Sequence, residues 1–181
     1  MARAKANPGK FNYSSPGAGT KSHLTGEQLK LMTGIDMAHV PYRGAGPAAL
    51  ALLEDSVQVG SVALAAAESL IADGRLKALA VTGATRWFSL PEVPTMIESG
   101  FPGFVSDTFN ALFAPAGTPP EIVARLVQES QAAMRAPEAR QQALKAGFEI
   151  VAGTPEQLAA RMAIEIPAVK ELVARIGLKT E

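Results

Sequence analysis

Phe11-Asn12-Tyr13-Ser14-Ser15-Pro16-Gly17-Ala18-Gly19-Thr20-Lys21-Ser22-His23-Leu24 reads as a short strand, a glycine-rich turn and the first turn of a helix. Asn12-Tyr13-Ser14 has strand character, and Pro16-Gly17 with Gly19 demands a tight turn. Thr20 or Ser22 can cap the helix that carries Leu24, Leu29 and Leu31. A helix opening behind such a turn aims free N–H groups and partial positive charge at whatever lies in front of it. The stretch therefore suits an anion, and the rest of the chain bears on which one.

Upstream, Ala2–Lys10 looks like the end of a helix stopped at Asn7-Pro8-Gly9. Downstream, the helix from about Thr20 to Thr33 is closed by Gly34. Met37–Tyr42 is a strand, followed by the turn Arg43-Gly44-Ala45-Gly46-Pro47 and a helix through Leu50, Leu52 and Leu53, with Pro47 at its first position. Val57–Leu64 is an apolar run expected to be a strand buried on both faces. An alanine-rich helix ends at Asp73-Gly74, and Leu76–Thr82 is the next expected strand. Strand and helix alternate throughout, which predicts an α/β fold with a mainly parallel sheet and helices on both faces. Open sheets of this kind place ligands where strands run into glycine turns.

Ala84–Gly103 is broken by Pro91, Pro94 and Pro102, with a helical turn at Thr95–Ser99, and Val105–Ala114 is expected to be extended. The remainder is helical. Thr118-Pro119-Pro120-Glu121 and Thr154-Pro155-Glu156-Gln157 are both capping boxes by sequence. Ile122, Val123, Leu126 and Val127 form one apolar stripe; Leu158, Met162, Ile166, Val169 and Val173 form another, in a helix that Pro167 should kink. Pro137 to Lys145 is a helix closed by Gly147, and Phe148–Val151 is expected to be a short strand.

Of 181 residues, 48% are apolar, enough for a substantial core, while 17 Lys+Arg balance 17 Asp+Glu. That balance gives no electrostatic footprint for nucleic acid or an acidic membrane surface. With no cysteine, disulfides, thiol catalysis and Cys-type zinc sites are excluded. Met1–Lys5 has no apolar signal-peptide core, so the chain as written is expected to stay in the cytoplasm.

Reactive groups are few. The two histidines, His23 and His39, form no metal-ligand pattern, and no metal or cofactor is implied. Ser22 and His23 are adjacent on a helix, so their side chains diverge by about 100° and cannot act as nucleophile and base. The role expected of His23 is a hydrogen bond to the neighbouring loop. Gly17–Ser22 fails the P-loop spacing and the dinucleotide spacing, so nucleotide binding is not supported. A bare strand-to-helix turn without a ligand stays open. Ser14, Ser15, Gly19, Thr20 and Ser22 do offer hydroxyl and N–H donors suited to a carboxylate. Arg43, ending the next strand, is placed to pair with it or simply to be solvated. Trp87 and Phe88 read as packing residues.

Five collinear motifs then bring in a resemblance: Ala6–Leu24, His39-Val40-Pro41-Tyr42-Arg43-Gly44, Gly74–Thr82, Leu90-Pro91-Glu92-Val93-Pro94-Thr95 and Ala114–Pro119. Together they resemble the periplasmic solute receptors of tripartite tricarboxylate transporters, the Bug or TctC family. The resemblance implies a type II periplasmic-binding-protein fold whose first domain is largely missing here. On it, residues 1–10 end an interdomain helix, 11–105 form the ligand-binding second domain, and 106–181 are a crossover and helices that pack on the first. It further implies a small organic carboxylate ligand and transporter subunits as partners. The full-length receptor would be periplasmic, and the signal peptide would lie outside this chain.

Carried over by position, the ligand-binding residues are Ser14, Ser15, Gly17, Gly19, Thr20, Ser22 and His23, with Tyr42, Arg43 and Val62 nearby; none is catalytic. Many family members have Asp-Asn where this chain has Val62-Ala63. The resemblance therefore implies a carboxylate without an ammonium group, of apolar or aromatic character. The exposed stripes predict repacking or self-association of the fragment. The rival expectation is a stand-alone metabolite-sensing or interaction module of the same fold; an enzyme is disfavoured for want of a cooperating acid, base and nucleophile.

Overall fold

The computed structural model describes residues 1–178. Eight segments position everything that follows: α1 (Ala2–Ala6), β1 (Phe11–Ser15), α2 (Lys21–Thr33), β2 (Met37–Pro41), α3 (Ala45–Leu53), β3 (Val59–Gly60), a 3₁₀ turn (Leu64–Ala66) and α4 (Glu68–Ala72). The three strands form one parallel sheet in the order β2-β1-β3, with Tyr13 in register with His39 and with Val59. The alternation expected from the sequence is therefore realised as far as α4.

Strand periodicity sends neighbouring side chains of β1 to opposite faces. Tyr13 packs with Ala4, Ile35 and Met37, flanked by Phe11, Leu29 and Val59, and its ring lies over Gly26 of α2. A Cβ on Gly26 would stand 2.6 Å from Tyr13 Cζ, so only glycine admits the ring. Ser14 points the other way and donates to the Ala48 carbonyl of α3 at 2.8 Å. There the contact is made by Ala48, Ala49 and Ala51, all fully buried, because short side chains let helix and sheet approach closely. Helices thus cover both faces, as right-handed crossovers from a central β1 require.

Boundaries differ from expectation in four places. Pro47 is the third residue of α3, since the first-turn N–H groups need no partner and proline is tolerated there too. β3 is far shorter than Val57–Leu64 and is not covered on both faces. Gln58 N–H to Asn12 C=O and Ser61 N–H to Ser14 C=O bracket it, and the alanine-rich stretch after it turns helical. Leu76–Thr82 joins no ladder. Val81 instead exchanges bonds with Pro94 and Met96, the Thr82 carbonyl accepts from Ser106, and Leu79 stays 67% exposed. Phe148–Val151 is likewise not a strand.

The Thr95 turn is real and closed reciprocally: Thr95 N–H donates to Glu98 Oε2 at 2.7 Å, and Glu98 N–H to Thr95 Oγ1 at 3.0 Å. Arg86 holds the same Glu98 carboxylate. Ser106 is buried, its hydroxyl 2.6 Å from that of Thr25, and Thr82 donates to its carbonyl.

The described residues divide into two compact units, 1–108 with 172–178, and 109–171. The latter carries α5 (Pro120–Arg135), α6 (Pro137–Lys145) and most of α7 (Pro155–Ile176), which runs on through Pro167. Only one capping box forms. Thr154 N–H donates to Gln157 Oε1 at 2.9 Å and Gln157 N–H to Thr154 Oγ1 at 3.3 Å. Thr118 stands one residue too early, before the cap Pro119, and its hydroxyl donates to the Pro115 carbonyl instead. Among residues 109–171 none is buried, and Ile122, Leu126 and Ile164 are 48%, 55% and 73% exposed.

Candidate functional site

β1 and β2 run parallel, so α2 and α3 both begin at the carboxyl edge of the sheet. The turn after β1 is fastened to the end of β2: Tyr42 N–H donates to Ser15 C=O at 2.9 Å and Gly44 N–H to Pro16 C=O at 3.1 Å. The loop after β3 reaches the same edge, where Ser61 Oγ donates to the Ser22 carbonyl at 2.8 Å. Val62 follows, half-buried. Because β2 and β3 flank β1 on opposite sides, this edge is a topological switch point, the place where open α/β sheets bind their ligands.

The turn is shaped from within. Gly19 has φ 73°, a left-handed conformation that favours glycine. Thr20 caps α2, accepting from His23 N–H at 3.3 Å while its hydroxyl donates to Gly17 C=O at 2.8 Å. At the start of α3, Gly44 has φ 117°. Two helix N-termini thus open at one edge of the sheet, a favourable place for a carboxylate.

Of the residues singled out in the sequence, Ser14, Ser15, Gly17, Gly19, Thr20, Ser22, His23, Tyr42 and Val62 are gathered here, and Arg43 stands exposed at the end of β2. Their duties differ. Ser14 and Ser15 are fully buried; Ser14 binds the Ala48 carbonyl, and the Ser15 hydroxyl lies 3.1 Å from Gly17 C=O and accepts from Gly17 N–H at 3.2 Å. They hold the turn from beneath. Thr20 and Ser22 lie partly open at the mouth. His23 does bond the loop, accepting from Gly19 N–H through Nδ1 at 3.0 Å.

Sequence reading missed the polar group below the turn. His39 Nε2 lies 2.6 Å from Ser15 Oγ, and its ring stacks on His23 with centroids 3.9 Å apart and 13° between planes. Tyr13 donates to Glu27 Oε1 at 2.8 Å and lies 3.2 Å from the His23 carbonyl, and Lys30 pairs with Glu27 at 2.9 Å. Burial lowers both histidines below their usual range, His39 to about 4 with His23 adding to the effect. Burial and the Glu27 carboxylate raise the Tyr13 phenol. Lys30 and Tyr13 hold Glu27 low despite its burial. Part of the signal was available: Tyr13 and Ser15 fall on one face of β1 by strand period, and polar groups on a covered face need partners, but that His39 supplies one follows only from the register of β1 with β2.

A parallel sheet with helix N-termini converging at its switch point is the architecture of ligand-binding α/β domains. The profile described as "Tripartite tricarboxylate transporter family receptor" (TctC) matches residues 1–178, and the chain belongs to that family. It is 38% identical over 157 residues to a Pseudomonas sp. (strain P51) protein encoded between tcbD and tcbE, covering 86% of this chain and 47% of that one. It is 33% identical over 179 residues to BugT of Bordetella pertussis, covering 99% and 55%. The chain thus spans about half the length of these relatives.

Among solved structures, one described as a periplasmic transporter matches with TM-score 0.86 and 31% identity over 98% of this chain and 59% of that one. An R. palustris protein with adipate matches at 0.82 and 30%, over 97% and 59%. A malate-bound protein, MatC of Rhodopseudomonas palustris, matches at 0.66 and 27%, over 96% and 58%. The fold is that of periplasmic binding proteins, and the family is one of solute-binding receptors.

Proposed function

We propose that this chain supplies one ligand-binding face of an extracytoplasmic receptor that takes up a small organic carboxylate and passes it to a tripartite transporter in the membrane. The convergence of the α2 and α3 N-termini with the turns after β1 and β3 carries this reading. The adipate and malate held by its structural neighbours support the ligand class. The Ser22 hydroxyl and first-turn N–H groups of α2 and α3 grip the carboxylate, on a surface that Gly17, Gly19, Thr20 and the Tyr42–Gly44 turn shape through their own hydrogen bonds. Ser14, Ser15 and His23 keep that surface in shape, and Arg43 stands beside it. Binding and release require no chemistry, metal or cofactor from these residues.

Val62 sets the second half of the specificity. An ammonium group seated at the β3 loop would face an apolar side chain and lose hydration without a counter-charge. The ligand is therefore a carboxylate without an amino group. Calorimetric titration with malate, adipate and aspartate tests both points. Binding of malate or adipate with aspartate at least about tenfold weaker, about 1.4 kcal/mol, is the expected order. Absence of dicarboxylate binding, or a preference for aspartate, would reject the assignment.

A further inference from the structure

Two imidazoles sit directly under the turn, and each grips a different part of it. His23 Nδ1 accepts the Gly19 N–H at 3.0 Å, so that nitrogen is unprotonated and the ring's proton lies on Nε2. His39 Nε2 contacts Ser15 Oγ at 2.6 Å, and the same hydroxyl engages both the N–H and the carbonyl of Gly17. The rings stack at 3.9 Å, which leaves little room for positive charge on both.

The other titratable groups acting on the pair are few. Glu27 and Lys30 come from α2 and neutralise one another, and Tyr13 comes from β1, its ring 4.9 Å from that of His39. β2 contributes His39 itself, and α3, on the opposite face, has no titratable side chain.

We propose that His23 and His39 are positioning residues that hold the Ser15–Gly19 turn in shape only while both rings are neutral, so that acidification releases the turn. A proton on His23 Nδ1 replaces the acceptor that Gly19 N–H needs with a second donor pointed at it. A proton on either ring also places charge against its stacked neighbour. Burial already opposes both events and defers them to acidic pH, so the contacts persist at neutrality; below it His23 takes up its proton first, and its charge defers that on His39 further. The histidine usual value is 6.5 and His39 is held at about 4. The unfolded chain takes up protons before the folded one, and order at the turn is lost as pH falls through that interval. The further consequence, weaker hold on a carboxylate, rests on the function proposed above.

With only two histidines, the imidazole NMR spectrum of the native chain decides the matter without any ligand. Titrated downward from neutral pH, both rings are expected to protonate below the usual histidine range. His23 should show the Nε2–H tautomer beforehand, and the Gly19 amide signal should shift with the same midpoint as His23. A ring titrating in the usual range or above, an Nδ1–H tautomer for His23, or a Gly19 amide indifferent to it would overturn the proposal. His23→Gln, which keeps a hydrogen-bonding group but cannot titrate, should raise the His39 midpoint by removing the charge on its stacked partner; an unchanged midpoint counts against the coupling.

Malate titrations on native and H23Q chains read the functional consequence. The native affinity should fall at least about threefold more steeply on acidification, since ligand protonation is common to both. Equal slopes would overturn that consequence. Failure of both chains to bind malate would reject the carboxylate reading instead, leaving the NMR result to judge the turn.

Discussion

Residues 11–61 and residues 118–176 carry equally explicit sequence signals, yet they end in opposite states. In the first region Tyr13, Leu24, Ile35, Met37 and Val57 are buried, and hydrogen bonds tie each turn to a neighbouring strand. In the second, three helices form where capping and periodicity place them, and none has a buried residue. Helix formation is local, needing caps and good formers within a few residues. Burial is not local: an apolar stripe becomes a core only when another surface meets it. The comparison separates what a segment does by itself from what its partners do for it.

The largest expected effect tests the first region. Gly26→Val should prevent cooperative folding or cost more than about 3 kcal/mol, because its side chain would occupy the space of the Tyr13 ring. Chemical denaturation measures it, and a native-like midpoint would mean that α2 does not lie on Tyr13. Tyr13→Phe keeps that packing and removes a hydrogen bond to Glu27, leaving the carboxylate short of a donor. A loss of about 1–3 kcal/mol is expected, and a neutral outcome would show that water replaces the phenol.

Stability should also rise with pH from about 4 to 6.5, as His39 leaves its protonated unfolded state for a neutral folded one. A flat profile for native protein matching that of His39→Gln would remove this contribution.

The second region offers smaller and sharper contrasts. Thr154→Ala should cost about 1 kcal/mol through loss of a formed cap. Thr118→Ala should cost less, since its hydroxyl closes only an exposed turn. Equal costs would erase the distinction between them. Smallest of all, Leu126→Ser on the open stripe should change stability within about 0.5 kcal/mol. A core-like penalty, falling on dilution in sedimentation, would reveal a second copy covering α5.

Much of the architecture was legible because its signals are short-range. Asn7-Pro8-Gly9 ends α1, Thr20 and Gly34 bound α2, and Pro137 and Gly147 bound α6. Errors gathered where two local readings competed. Leu76–Thr82 is apolar enough for a strand, but its hydrogen bonds go to Pro94, Met96 and Ser106 instead. Thr118 and Thr154 open look-alike motifs, but a proline at the cap position displaces the first hydroxyl from its target. In the site, the turn and its glycines were readable, whereas the histidine stack beneath them was not.

The sequence by itself determined the alternation of strands and helices, the glycine turn after Tyr13-Ser14-Ser15, and membership of a receptor family through collinear motifs. Caps, turns and periodicity act over a few residues, and those interactions are written in order along the chain. Only the tertiary structure decided that His39 meets Ser15 and stacks on His23, and that Gly26 is hollowed out for Tyr13. It likewise decided which of two alike capping motifs forms. These contacts depend on strand register and on helix crossover. Fifteen residues separate the rings that stack at 3.9 Å, a distance that parallel pairing of β1 with β2 closes and that no local rule predicts.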